Sequence, residues 1–125
     1  MSVERITRAL LAVTTATLIS TVSGCGAASE IQSIPPASQI IDVRTPREFA
    51  SWHFPGAINI PVRDLERRLR ELDTDRNIIV YCRSGSRSST AKKILMANGY
   101  TNVKNGGGLS DMKRFLNNRE VAAQK

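Results

Sequence analysis

The run Ile78-Ile79-Val80-Tyr81 restricts this chain's fold more than any other segment. Four consecutive apolar, mostly β-branched residues leave no polar face for solvent, so the strand they form must be covered on both sides. Such strands belong in the interior of a parallel sheet with helices on each face. The flanking segments agree. Gln39-Ile40-Ile41-Asp42-Val43 reads as a second buried strand, and Ala57-Ile58-Asn59-Ile60 as a third, stopped by Pro61. Between them, Thr45-Pro46-Arg47-Glu48 has the form of a helix start: a capping Thr, Pro at the first helical position, and Glu placed to close a capping box. Phe49 and Trp52 are expected to turn that helix toward the core.

Val62, Leu65, Leu69 and Leu72, with charges between them, predict an amphipathic helix broken by Asp73–Asn77. Ala91, Ile94 and Leu95 mark a further helix, ended by Asn98-Gly99. Thr101–Lys104 is a weak strand, Gly106-Gly107-Gly108 reads as a turn, and Met112, Phe115 and Leu116 place a final helix. Strands alternating with helices make this an α/β domain with a mainly parallel central sheet flanked by helices.

In such a sheet, ligands bind beyond the carboxyl ends of the strands. Cys82 stands at that end of the strongest strand, and its loop, Cys82-Arg83-Ser84-Gly85-Ser86-Arg87, leads into a helix. Glycine and small polar residues let successive backbone N–H groups turn inward around an anion. Those amides, the helix dipole and two arginines all favour a thiolate over a thiol. A thiolate on a cationic, amide-lined loop is what sulfur nucleophilic chemistry requires. An inert buried cysteine is the bland alternative, and burial beside two unpaired guanidinium groups would be costly.

Three motifs in order carry a family resemblance. Ile41-Asp42-Val43-Arg44-Thr45-Pro46-Arg47-Glu48-Phe49 resembles the opening motif of rhodanese domains, and His53-Phe54-Pro55-Gly56-Ala57-Ile58-Asn59-Ile60-Pro61 their second. Val80–Ser88 resembles the active-site loop, while Asn98–Val103 and Gly106–Leu109 look like the closing segment. The likeness is greatest to small exported single-domain rhodaneses of the phage-shock-protein-E type. Trp52 departs from the pattern, standing where the family commonly has Gly.

The resemblance implies a thiosulfate sulfurtransferase. Cys82 would take a sulfur from thiosulfate or a persulfide and pass it to a thiol or cyanide. Amides of Arg83, Ser84, Gly85, Ser86 and Arg87 would hold the persulfide, and Arg83 and Arg87 would attract the anionic donor. Asp42 and Arg44 would support the loop or the fold. His53 belongs to a structural motif and is not cast as a base. No cofactor is expected, and no metal.

Two further readings of the same loop remain. A rhodanese-fold module could carry or sense sulfur or another anion without catalysis. A cysteine-dependent phosphatase or arsenate reductase also combines Cys and Arg on one anion loop. Only four residues separate Cys82 from Arg87, however, one fewer than in the tyrosine phosphatases, and Tyr81 rather than His precedes the cysteine.

The amino terminus reads as an address. Arg5 and Arg8 precede fourteen uncharged residues, Ala9–Val22, a length suited to a secretory signal and short of a membrane span. Val22-Ser23-Gly24-Cys25 resembles a lipoprotein lipobox, which implies cleavage after residue 24 and lipidation of Cys25. A conventional signal-peptidase site is the alternative. Residues 25–38 are small, polar and proline-containing and read as a tether, followed by a rhodanese domain over 39–118 and a tail over 119–125. The expected location is exported: lipid-anchored to a bacterial envelope, facing the periplasm or the outside, or else soluble in the periplasm or secreted.

Lys and Arg number 18 against 11 Asp and Glu, giving a net charge of +7. The basic residues interleave with acids, as in Arg63-Asp64-Leu65-Glu66-Arg67-Arg68, and no nucleic-acid motif accompanies them. Nucleic acid is therefore not an expected partner, though a diffuse positive field suits small anions. The chain has two cysteines, Cys25 and Cys82, which are not expected to pair.

Overall fold

A computed structural model describes residues 29–124 of the chain. The signal segment, the lipobox and Cys25 lie outside those residues. Four strands form one sheet: β1 (Gln39–Asp42), β2 (Ile58–Asn59), β3 (Ile78–Tyr81) and β4 (Val103–Gly107). Their order is β2-β1-β3-β4, and every pairing is parallel. Three α-helices accompany them: α1 (Pro46–Ser51), α2 (Ser86–Ala97) and α3 (Leu109–Ala123).

The continuous apolar run does cover both faces. Ile78 and Val80 enter a core with Ile41, Val43, Leu65, Ala91 and Leu95. Ile79 and Tyr81, pointing the other way, pack with Ile40, Phe54, Met112 and Phe115. No residue of β3 is exposed.

The structure departs from the sequence expectations in four places. The Val62–Glu71 segment is a 3-10 helix rather than an α-helix. Side chains three apart eclipse in that geometry, which suits the Val62–Leu65 and Leu69–Leu72 steps but not the four-residue step between Leu65 and Leu69. Val62 and Leu65 both meet the core, and ion pairs join Arg67 to Asp64 and Arg68 to Glu71.

The triple glycine is not a turn. Gly106 and Gly107 finish β4, with Val80 opposite Asn105 but Tyr81 opposite Gly107, so Gly106 is an extra residue in the ladder. A Cβ there would sit 3.0 Å from both Ile79 Cγ2 and Met112 Sδ, so glycine lets α3 close over the sheet.

Helix α1 buries no residue. Phe49 instead stacks on the His53 ring at 3.9 Å between centroids, while Trp52, half-buried, packs against the Phe54 and Tyr81 side of the core.

Finally, residues 29–38, which read as the end of a tether, lie against the domain. Ile31 is buried and Ile34 packs beside it. The Glu30 amide donates to Asn105 O at 2.8 Å, and Arg76 donates to Ala37 O. Two isoleucines three apart supply the apolar contact that a free tether would lack.

Candidate active site around Cys82

Cys82 directly follows β3, and its amide donates to Gly107 O at 3.2 Å. The residue is fully buried and is the free cysteine of the described residues. Gly85, the N-cap of α2, has φ 95°, a left-handed conformation that suits glycine. That turn points the Gly85 amide at the sulfur, donating to Cys82 Sγ at 3.0 Å. No side chain caps α2. The sulfur thus takes the position of a capping acceptor, at the positive end of a twelve-residue helix.

Burial alone would raise the Cys82 pKa. Hydrogen bonding from the Ser88 hydroxyl and from the amides of Ser88, Ser84 and Gly85 outweighs it, and the thiol falls below its ordinary value. Ser88 is fully buried, with its Oγ 3.6 Å from Cys82 Sγ, 3.0 Å from Gly85 O and 2.7 Å from Asn105 Oδ1. Asn105 is itself buried in β4. Its Oδ1 also accepts from the Gly107 amide at 2.9 Å, and its Nδ2 donates to Ser89 Oγ at 2.8 Å. Neither Ser88 nor Asn105 was singled out in the sequence. The available signal was an asparagine entering a run of glycines, where a buried polar side chain must find partners.

The mouth of the loop is held on its other flank. Arg83 O accepts the Leu109 amide at 3.1 Å, and Ser84 bridges to Gly108. A Cβ on Gly108 would lie 2.7 Å from Arg83 O, which makes this glycine a matter of close approach. The Arg83 side chain makes no ion pair among the described residues.

Arg87 differs. Its two terminal nitrogens donate to the two oxygens of Glu48 at 2.8 and 2.9 Å. Glu48 also closes the capping box of α1, accepting from Thr45 N and Oγ1 at 3.1 and 3.0 Å. The Arg87 guanidinium, followed by the Thr45 contacts, outweighs partial burial and lowers the Glu48 pKa to about 2. The capping box was legible in the sequence. The partner across 39 residues was not.

Asp42 and Arg44 form a buried pair, with Arg44 Nη2 2.5 Å from Asp42 Oδ2 and Nε 2.9 Å from Oδ1. Arg44 Nη2 also donates to Trp52 O at 2.6 Å, and its guanidinium lies over the Tyr81 ring. The Tyr81 hydroxyl in turn accepts the Phe54 amide at 3.0 Å. This pair ties the end of β1 to the His53–Pro61 motif and to the residue before Cys82. Exposed His53 has Nδ1 2.9 Å from Phe49 O. Among the described residues no group of three or more His, Cys, Asp or Glu is placed to hold a metal ion.

The profile of the rhodanese-like domain matches residues 27–114. The chain belongs to the rhodanese-like family. A rhodanese relative, the Escherichia coli (strain K12) thiosulfate sulfurtransferase PspE, is 44% identical over 78 residues, covering 61% of this chain and 75% of that protein. A sulfurtransferase of Allochromatium vinosum is 41% identical over 66 residues, 53% of this chain and 62% of its own length. Among solved structures, an E. coli rhodanese determined with anions superposes with a TM-score of 0.58 at 43% identity, covering 60% of this chain and 91% of that one. Rhodanese membership and these relatives support sulfur transfer as the general activity.

Proposed function

We propose that this rhodanese moves the sulfane sulfur of thiosulfate, or of a persulfide, to a thiol or cyanide through a persulfide on Cys82. The observation that carries the reading is the donation of the Gly85 amide to Cys82 Sγ at 3.0 Å, on a sulfur whose pKa is lowered despite burial. A lowered thiol pKa favours the thiolate as the attacking nucleophile. Its attack on thiosulfate breaks the sulfur–sulfur bond, and sulfite leaves with the bonding pair. The outer sulfur then carries the negative charge among the amides of Arg83–Arg87, and the exposed Arg83 attracts the incoming anion. Asp42 and Arg44 act from behind, fixing the strand end that presents Cys82.

Support for the donor comes from the relative named as a thiosulfate sulfurtransferase and from the neighbour determined with anions. The test is direct. Cys82→Ser should abolish thiosulfate-to-cyanide transfer while leaving the circular-dichroism spectrum unchanged, and mass spectrometry of wild type after thiosulfate should find one added sulfur on Cys82. Turnover by the Cys82→Ser protein overturns the assignment.

We further propose export with a lipid anchor on Cys25. The lipobox-like Val22-Ser23-Gly24-Cys25 supports this. Among the described residues no helix is long and apolar enough to cross a membrane. Cys25→Ala should move the protein out of the membrane fraction. A mature wild-type chain beginning at any other residue refutes the anchor and leaves the sulfur chemistry untouched.

A further inference from the structure

Two arginines in the loop suggest a mouth built for strongly negative donors, yet the ion pairing divides them. Arg83 is exposed and makes no ion pair among the described residues. Both terminal nitrogens of Arg87 donate to Glu48. We propose that Glu48 is a specificity-determining residue: by cancelling the Arg87 charge, it makes the site discriminate against dianionic sulfur donors relative to monoanionic donors of the same transferable sulfur. The inference rests on the sulfurtransferase reading above and adds the charge class of the preferred donor.

Three features carry it. The pair is bidentate, so the Glu48 carboxylate is held against the outward edge of the Arg87 guanidinium and offsets its charge there. Glu48 is fixed independently by Thr45 at the start of α1, so releasing Arg87 toward a donor would leave a carboxylate uncompensated beside the loop. The pair is also only partly exposed, with side-chain accessibilities of 36% and 27%, so solvent screens it less than it would a fully exposed pair.

The chemistry is the same for either donor. Cys82 thiolate bonds to the outer sulfur, the donor's sulfur–sulfur bond breaks, and its electron pair leaves with the remainder. Thiosulfate and thiolate bring three negative charges, which emerge as the Cys82 persulfide anion and sulfite. Benzenethiosulfonate and thiolate bring two, which emerge as the persulfide anion and benzenesulfinate. The dianion adds one negative charge to the encounter, and that extra charge is what feels Glu48.

The test measures kcat/KM for thiosulfate and benzenethiosulfonate across a range of ionic strength. Glu48→Gln should raise the thiosulfate-to-benzenethiosulfonate ratio about threefold to tenfold at low salt, and the gain should shrink as salt is added. Arg87→Gln, which leaves the Glu48 charge uncompensated, should move the ratio the opposite way. The double variant Glu48→Gln/Arg87→Gln should return it toward wild type. A role limited to holding the loop in place predicts that both donors fall together with no change in ratio, and that result overturns the proposal. Wild-type protein inert to both donors instead overturns the sulfurtransferase reading, and this inference with it.

Discussion

Ser88→Ala probes the Cys82 thiolate with little disturbance to the fold. The Ser88 hydroxyl has one proton and three acceptors within reach: Gly85 O at 3.0 Å, Asn105 Oδ1 at 2.7 Å and Cys82 Sγ at 3.6 Å. Removing it orphans neither oxygen. Asn105 Oδ1 keeps the Gly107 amide, and Gly85 O keeps the Ser89 amide at 3.0 Å. The stability cost should therefore stay near that of one ordinary hydrogen bond, about 1 kcal/mol. The thiolate loses more selectively. A hydrogen bond to a charged group is worth about 1.5–3 kcal/mol, and a 3.6 Å contact shared with two oxygens belongs below that range, at about 1 kcal/mol. Losing a donor to the charged form raises the thiol pKa, so the pH profile of iodoacetamide alkylation should move to higher pH. At a fixed pH below the inflection, alkylation should slow by about fivefold. Well above it, variant and wild type should react alike. An unshifted profile would mean that the backbone amides alone stabilise the thiolate, and that Ser88 serves only the Asn105 contact.

Three other perturbations separate loop from fold. Gly108→Ala places a Cβ 2.7 Å from Arg83 O and 3.2 Å from Ser84 Cα, both backbone atoms, so the loop must move; a loss of about 1–3 kcal/mol in thermal unfolding should accompany a large fall in sulfur transfer. Gly99→Ala, strained by φ 90° but open to space and remote from the loop, should lower Tm and spare transfer. Glu48 gives a pH signature: its pKa is lowered from 4.5 to about 2, so its stabilisation is fully present above about 4.5 and disappears as pH falls through about 2. The stability difference between wild type and Glu48→Gln in urea titrations should vanish over that window, and a difference that persists unchanged at pH 2 would refute the ion pair's contribution.

The sheet and the place of Cys82 at its carboxyl edge are legible because each rests on local chemistry. A continuous apolar run can be satisfied only by cover on two faces, and a cysteine at its carboxyl end beside glycine and arginines has few bland explanations. Thr45-Pro46-Arg47-Glu48 announced its helix because capping is a three-residue matter. What escaped were relations set by tertiary approach. The pairing of Glu48 with Arg87 depends on where α1 meets the loop, and the burial of Asn105 on how β4 runs under α2. In the sequence Gly106 and Gly107 read as a turn because local conformational freedom and close packing call for the same residue. Only the neighbours Ile79 and Met112 distinguish the two. The Val62–Glu71 segment shows the same ambiguity: apolar spacings of three and four suit an α-helix, and the i,i+3 ion pairs that accompany the 3-10 form are visible only once the side chains are placed.

The supports of the Cys82 loop come from parts of the chain that have no local reason to meet. Glu48 reaches Arg87 from α1, Asn105 reaches Ser88 from β4, and Leu109 reaches Arg83 from the start of α3. The β4 contact extends outward, because Asn105 O accepts the Glu30 amide and the Asn105 amide donates to the Glu30 carboxylate, which also holds Lys92 of α2 at 2.5 Å. Glu30 therefore clamps β4 to α2 directly behind the buried polar network that reaches the sulfur. A loop centred on Ser84-Gly85-Ser86 has little stiffness of its own, and amide donors stabilise a thiolate only if they are held in place before it ionises. Distributing the restraint over α1, β4, α3 and the segment before β1 supplies that stiffness. The cost is that the thiolate depends on distant contacts. A disturbance at Glu30 should reach Cys82 through Asn105 and Ser88 without touching the loop itself.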